Sequence, residues 1–117
     1  MILVGVAHPE AELSLHSTVH GAGRAMSRTE AAGKSKWRHG MKVRVTDGKI
    51  SQADMDEWVV GRAHVELRGG GRDEAPQAYK RLDAVLAAHA NTIKILEVLK
   101  PIGVAMAGAG EIDPYKD

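Results

Sequence analysis

The sequence predicts an α+β fold of short strands with two or three helices, and three observations carry that prediction. Apolar runs at residues 1–7 and 93–99 have the length of strands and stop at turn residues. Ser27 and Ser51 each stand three residues before a carboxylate, Glu30 and Asp54, which is the spacing of a helix N-cap. Tyr79, Leu82, Val85, Leu86 and His89 recur at intervals of three and four, which makes one apolar face of a helix over 77–89. At 117 residues the chain has room for one modest domain, so a multi-part active site would be shared with another polypeptide.

The elements follow in order. Residues 1–7 form an apolar strand without the basic leader or small-residue cleavage pattern of a signal peptide, as expected of a chain that begins inside a domain. His8-Pro9-Glu10 reads as a turn, and Glu12-Leu13-Ser14-Leu15-His16-Ser17 alternates with the period of a second extended piece. A glycine-rich loop at 20–24 then leads to a helix that is capped by Ser27 and ends near Gly33. Residues 34–48 read as a loop, a short strand over 41–45 and an Asp47-Gly48 turn. Ser51 caps a second short helix through Trp58 and Val59, residues 63–68 alternate as a strand, and Gly69-Gly70-Gly71 is a loop tip or hinge. Beyond the helix at 77–89, the strand at 93–99 stops before Pro101. Residues 102–106 add one short apolar segment, and 108–117 are a polar tail.

Composition narrows the function classes. The absence of cysteine excludes disulfides and thiolate metal sites within the chain. No apolar run approaches the roughly 20 residues of a membrane-spanning helix, so a cytoplasmic location without a membrane partner is the default expectation. Two Trp, two Tyr and no Phe leave the core to aliphatic side chains and predict that it is thin. Net charge is only +1, yet Arg24, Arg28, Lys34, Lys36, Arg38, Lys42 and Arg44 face a single acidic residue, Glu30, across one stretch. Such a block attracts phosphate esters on RNA or on a nucleotide, and is equally the composition of a solvated loop.

The chemistry concentrates at His20-Gly21-Ala22-Gly23-Arg24, followed by Ala25-Met26-Ser27-Arg28. A nucleophilic ring nitrogen stands beside backbone that can approach phosphate closely, with cations to neutralise it, as nucleotidyl transfer requires. The helix start at Ser27 adds unpaired N–H groups and a favourable dipole. Each residue also has a plainer reading. His20 could be a histidine buried beside a turn, Gly21 and Gly23 the makings of the turn itself, Arg24 and Arg28 helix-surface cations, and Tyr79 a core residue. On the expected strand His16 would share a face with His20 but lie about 13 Å away, too far to share one metal ion. His8, His39 and His64 lack partners at ligand spacing and read as surface or polar-core residues.

Two motifs together resemble the C-terminal part of the RtcB family, the GTP- and manganese-dependent RNA ligases that join 2′,3′-cyclic-phosphate or 3′-phosphate ends to 5′-hydroxyl ends. The first is Ser17-Thr18-Val19-His20-Gly21-Ala22-Gly23-Arg24-Ala25-Met26-Ser27-Arg28. The second is Glu74-Ala75-Pro76-Gln77-Ala78-Tyr79-Lys80 with Leu82-Asp83-Ala84-Val85 behind it, followed by Lys100-Pro101-Ile102-Gly103-Val104. The resemblance spans nearly the whole chain and implies a single partial domain over 1–117, the C-terminal portion of the RtcB-type fold. It implies that His20 attacks the α-phosphate of GTP and carries GMP, that Gly21, Ala22 and Gly23 surround the guanylate, and that Tyr79 lies near the nucleotide. Arg24 and Arg28 would then contact phosphate or RNA.

The chain departs from the family pattern in two ways. The family closes on a Lys-Gly pair whose lysine contacts the guanine, and Met106 stands at that position here, with Lys116 further on as a possible substitute. The family's manganese ligands, an aspartate, a cysteine and several histidines, come from regions with no counterpart in this sequence, so the metal ligands are expected outside this chain. The resemblance therefore implies an RNA ligase in tRNA splicing or RNA repair whose chain is incomplete alone, with RNA, GTP and a separate N-terminal polypeptide or self-association as partners. The alternatives are a non-catalytic nucleotide- or RNA-binding fragment and a partner subunit of a split ligase.

Overall fold

The computed structural model describes residues 1–106, so the polar tail, with Tyr115 and Lys116, lies outside the described residues. The chain is α+β. It divides into two compact units, one made of Met1–Arg24 and Tyr79–Lys100, the other of Ala25–Ala78 and the chain from Pro101 onward.

In the first unit, β1 (Ile2–Gly5) pairs antiparallel with β5 (Ile93–Glu97), with Gly5 opposite Ile93 and Ile2 opposite Glu97. The helices are α1 (Pro9–Leu13) and α4 (Leu82–Ala87). Ala11, Leu86 and Ile93 are its buried apolar residues among those described. Two elements differ from the sequence expectation. The segment expected to be a turn and an extended piece is α1, because Pro9 occupies the first helical turn and the Nδ1 of His8 accepts the Glu10 N–H at 3.2 Å. Leu15 and His16 then take left-handed backbone with φ of 52° and 54°, so the alternation at 12–17 belongs to a helix and its exit turn, and no strand face joins His16 to His20. The helix expected from 77 begins only at Leu82. Tyr79 is drawn into an isolated antiparallel bridge with Arg24 instead.

In the second unit, α2 (Arg28–Ala32) starts as the sequence predicts, with the Ser27 hydroxyl accepting the Glu30 N–H at 3.1 Å and Gly33 at the C-cap. β2 (Gly33–Arg38) and β3 (Met41–Asp47) form an antiparallel hairpin through His39 and Gly40, both at positive φ. The sequence gives no sign of β2, which falls in the stretch expected to be loop. Every residue from Lys34 to Arg38 is exposed, so no buried face imposes an apolar alternation. α3 (Gln52–Asp56) has the reciprocal capping box of Ser51 and Asp54, and a π-helical turn, Glu57–Arg62, extends it beyond the expected end. β4 (Glu66–Arg68), shorter than the stretch expected as strand, pairs parallel with β6 (Gly103–Ala105).

The second unit holds the larger share of the core: Ala31, Ile50, Met55, Val59, Val65, Ala75 and Ala78. Met55, 2% exposed, is the one large side chain fully buried among the described residues, so the core is thin. Small residues let backbone approach backbone here. A Cβ on Gly48 would run into the Ala31 carbonyl, and the Arg72 guanidinium donates to the carbonyls of Ala32 at 2.9 Å and Ile50 at 3.3 Å, binding the same junction. No helix among the described residues is long and apolar enough to cross a membrane.

Candidate functional site

The loop that carries His20 is shaped by backbone rather than by packing. Residues 17–19 follow the exit turn of α1 without regular structure, and His20 stands exposed, its ring without a hydrogen bond among the described residues. An added Cβ at Gly21 or Gly23 would meet nothing within 4 Å, so the backbone there is open to an incoming group. Gly23 has φ of 74°, a conformation that strains any residue with a side chain.

The loop is tied down at its far end. The Lys80 N–H donates to the Gly23 carbonyl at 2.9 Å, and Arg24 and Tyr79 pair as an antiparallel bridge. Arg24 Nη1 donates to the Tyr79 hydroxyl at 3.1 Å, and the guanidinium carbon lies 4.9 Å from the centre of the Tyr79 ring. A cation over an aromatic face is held by the ring quadrupole and by the hydrogen bond together. Tyr79 is thus a half-buried, extended residue that positions Arg24, rather than a member of a helix face.

Arg28 belongs to the second unit. Its Nε donates to Glu74 Oε1 at 3.0 Å and lies 4.0 Å from Asp73 Oδ2. These carboxylates are 17% and 15% exposed, so the pair is partly desolvated and clamps the first turn of α2 to the 3₁₀ turn Arg72–Glu74. The neighbouring residues of the second motif have structural tasks as well. Ala75 and Ala78 are wholly buried, the Ala78 carbonyl accepts the N–H groups of Ala25 at 2.8 Å and Met26 at 3.3 Å, and Gln77 Nε2 donates to the Asp54 carbonyl at 3.0 Å.

The carboxyls of Glu30 and Asp54 in this unit are shifted. The Lys49 ammonium bonds and pairs with Glu30 and holds its carboxyl below the ordinary value, with the Ser27 N–H adding to the effect. The Ser51 hydroxyl and N–H, at 2.6 Å and 3.2 Å, do the same for Asp54. Beside them, Met26, Ile50, Trp58 and Gln77 line a shallow depression of about 350 Å³, into whose wall the Gln77 Oε1 is buried without a partner among the described residues.

Comparison with known proteins places these motifs. The family model described as tRNA-splicing ligase RtcB matches residues 1–107. The chain belongs to the RtcB family. Curated relatives include the RNA-splicing ligase RtcB1 of Escherichia coli strain ATCC 25922 and the RNA-splicing ligase RtcB of Escherichia coli K12, each 36% identical over 93 residues. That match takes in 78% of this chain and 18% of each relative, so the chain spans about a fifth of the length of the proteins it matches. No solved structure is significantly similar to it.

Within this RtcB-family chain, His20, Gly21, Ala22, Gly23, Arg24 and Tyr79 fall together in the first unit, and Arg28 falls in the second. No group of three or more His, Cys, Asp or Glu among the described residues could hold a metal ion. The described residues therefore do not form a manganese site by themselves. Sequence reasoning missed Lys80, whose backbone fixes Gly23, and Glu74 as the partner of Arg28. Both lie inside the second motif. Met106 gives its N–H to the Arg68 carbonyl at 2.8 Å and packs its sulfur near Gly70.

Proposed function

We propose that this chain contributes the nucleophilic histidine of an RNA ligase that joins 2′,3′-cyclic-phosphate or 3′-phosphate ends to 5′-hydroxyl ends, acting in the cytoplasm in tRNA splicing or RNA repair. One observation carries the reading: in an RtcB-family chain, an exposed His20 adjoins an open glycine loop whose end is fixed by the Arg24–Tyr79 pair. The ring nitrogen of His20 attacks the α-phosphorus of GTP, the bond to the β-phosphate oxygen breaks, pyrophosphate leaves, and the ring proton passes to water. The resulting P–N bond is labile enough to hand GMP to an RNA 3′-phosphate, and the 5′-hydroxyl of the second end then displaces GMP as the phosphodiester forms. The N–H groups of Gly21, Ala22 and Gly23 line the guanylate, and Arg24, positioned by Tyr79, neutralises phosphate charge. Arg28 holds the first turn of α2 through Glu74 and contacts RNA only at its exposed edge.

Manganese is ligated outside this chain in this reading, and none of the steps above is assigned to it. A separate N-terminal polypeptide is the partner that completes the enzyme. The apolar surface supports that requirement: Leu13 and Leu15 in the first unit and Ile102 in the second are each at least 85% exposed. Intact-mass spectrometry after incubation with GTP and Mn²⁺, with and without an N-terminal family fragment in trans, tests the proposal. One added GMP that disappears in His20→Ala is expected. No adduct even with the complementing fragment would leave the chain as a nucleotide- or RNA-binding fragment.

A further inference from the structure

The β2–β3 hairpin plays no part in the chemistry assigned above, yet its surface combines an exposed indole with several cations. All seven residues of β3 and all of β2 after Gly33 are exposed, so neither face of the ribbon is covered. Two-stranded ribbons are marginal in water without a covering partner. The register pairs Trp37 with Lys42 and Ser35 with Arg44, and cross-strand partners share a face, so Trp37, Lys42 and Arg44 lie on one side. Lys36 opposite Val43 and Arg38 opposite Met41 form the other. Trp37 is 73% exposed. Of the five cations on the two strands, Arg44 pairs with Asp47 at 3.3 Å. Lys34, Lys36, Arg38 and Lys42 form no ion pair among the described residues.

A protein partner would be met by an apolar patch depleted of lysine, whereas this ribbon carries unpaired cations on both faces. An indole displayed between cations, with room for a planar group on it, matches unstacked bases joined by phosphates. We propose that the β2–β3 hairpin binds single-stranded RNA, with Trp37 stacking on an unpaired base, Lys42 on the same face contacting a neighbouring phosphate, and Lys36 and Arg38 on the opposite face adding to the positive field around the ribbon. The proposal deepens the RNA-ligase reading and rests on it for the identity of the polymer. It assigns an RNA-holding surface to the second unit.

The test is fluorescence anisotropy of the full chain with a labelled oligouridine and with an RNA duplex of equal length, across a range of salt. Trp37→Ala is expected to weaken single-strand binding about tenfold while leaving the salt dependence unchanged, and Trp37→Tyr to restore most of it. The double variant Lys36→Glu with Lys42→Glu is expected to weaken binding further and to flatten the dependence on log salt by about 0.7 for each phosphate left without its cation. All of these side chains are exposed, so the fold has little to lose. Unchanged affinity in Trp37→Ala and in the double variant overturns the proposal, as does equal affinity for the duplex. A parent chain that self-associates through Trp37 without binding RNA overturns it too. The GMP-adduct measurement on the same variants separates the two readings. An intact adduct with unchanged RNA affinity removes the ribbon and keeps the ligase. RNA affinity that falls with the substitutions, in a chain that never forms an adduct, removes the ligase and keeps the ribbon.

Discussion

The two units of this chain divide stability and chemistry unequally. The first carries His20 and the open glycine loop but buries only Ala11, Leu86 and Ile93 among its described apolar residues. The second buries seven among its described residues, including Met55, and holds the helices capped by Ser27 and Ser51. In the first unit the loop is kept in place by the Lys80 N–H on the Gly23 carbonyl and by Tyr79 under Arg24. A reactive segment can therefore be positioned by a few directional bonds and left open to solvent, while most of the apolar burial is gathered elsewhere.

The largest effect expected is on the first unit and is purely chemical. His20→Ala should abolish the GMP adduct seen by intact mass and leave circular dichroism and the melting temperature unchanged, because the exposed ring makes no hydrogen bond that the fold uses among the described residues. A loss of helicity in that variant would break the comparison by showing that the loop is structural. Next in size, Met55→Ala should cost about 2–5 kcal/mol in chemical denaturation, since it opens a cavity in the better-packed unit. Leu86→Ala should cost less, near the low end of that range at about 2 kcal/mol, because Ala11 and Ile93 are the only other buried apolar residues of its unit among those described. The reverse order would locate the core in the unit of His20.

How much of this was legible in the sequence depends on what fixes each element. Ser27 and Ser51 announce their helices because a cap is a local bond between residues three apart. The strands near both ends were visible because each is an apolar run. α1 was hidden because His8 caps through a ring nitrogen and the residues after Leu13 mimic the period of a strand. β2 was hidden because exposure on both faces removes any period, and the helix expected from Gln77 gave way at Tyr79 to a pairing with Arg24 that no local rule contains. At the site, His20 and its glycines were readable as a motif. The tasks of Tyr79, Lys80 and Glu74 required partners far away in sequence.

Two smaller effects sharpen the contrast. Ser51→Ala should lower stability by about 1 kcal/mol through loss of the cap on α3, with no change in adduct formation. The pH dependence has the sign of depressed carboxyls. Glu30 and Asp54 titrate below 4.5 and 3.8, their ordinary values, so the stability they add is complete above those values and is lost as pH falls through their lower folded ones. Acid titration followed by circular dichroism should show this small loss in the parent chain, and Asp54→Asn should remove the Asp54 share of it. An unchanged acid profile in that variant would show that the capping box of α3 adds nothing in solution.

The order of assembly follows from the bond between Ala25 and Ala78. β1 must find β5 across residues 6–92, a long closure with a large entropic cost when the intervening chain is disordered. Folding of 25–78 first brings its two ends within hydrogen-bond distance, the Ala25 N–H on the Ala78 carbonyl at 2.8 Å, and removes most of that span from the search. The β2–β3 ribbon, closed by two residues, can form within microseconds, whereas the β1–β5 ladder has to wait for its interior to fold. The histidine loop belongs to that later-closing unit and would be among the last parts to take shape.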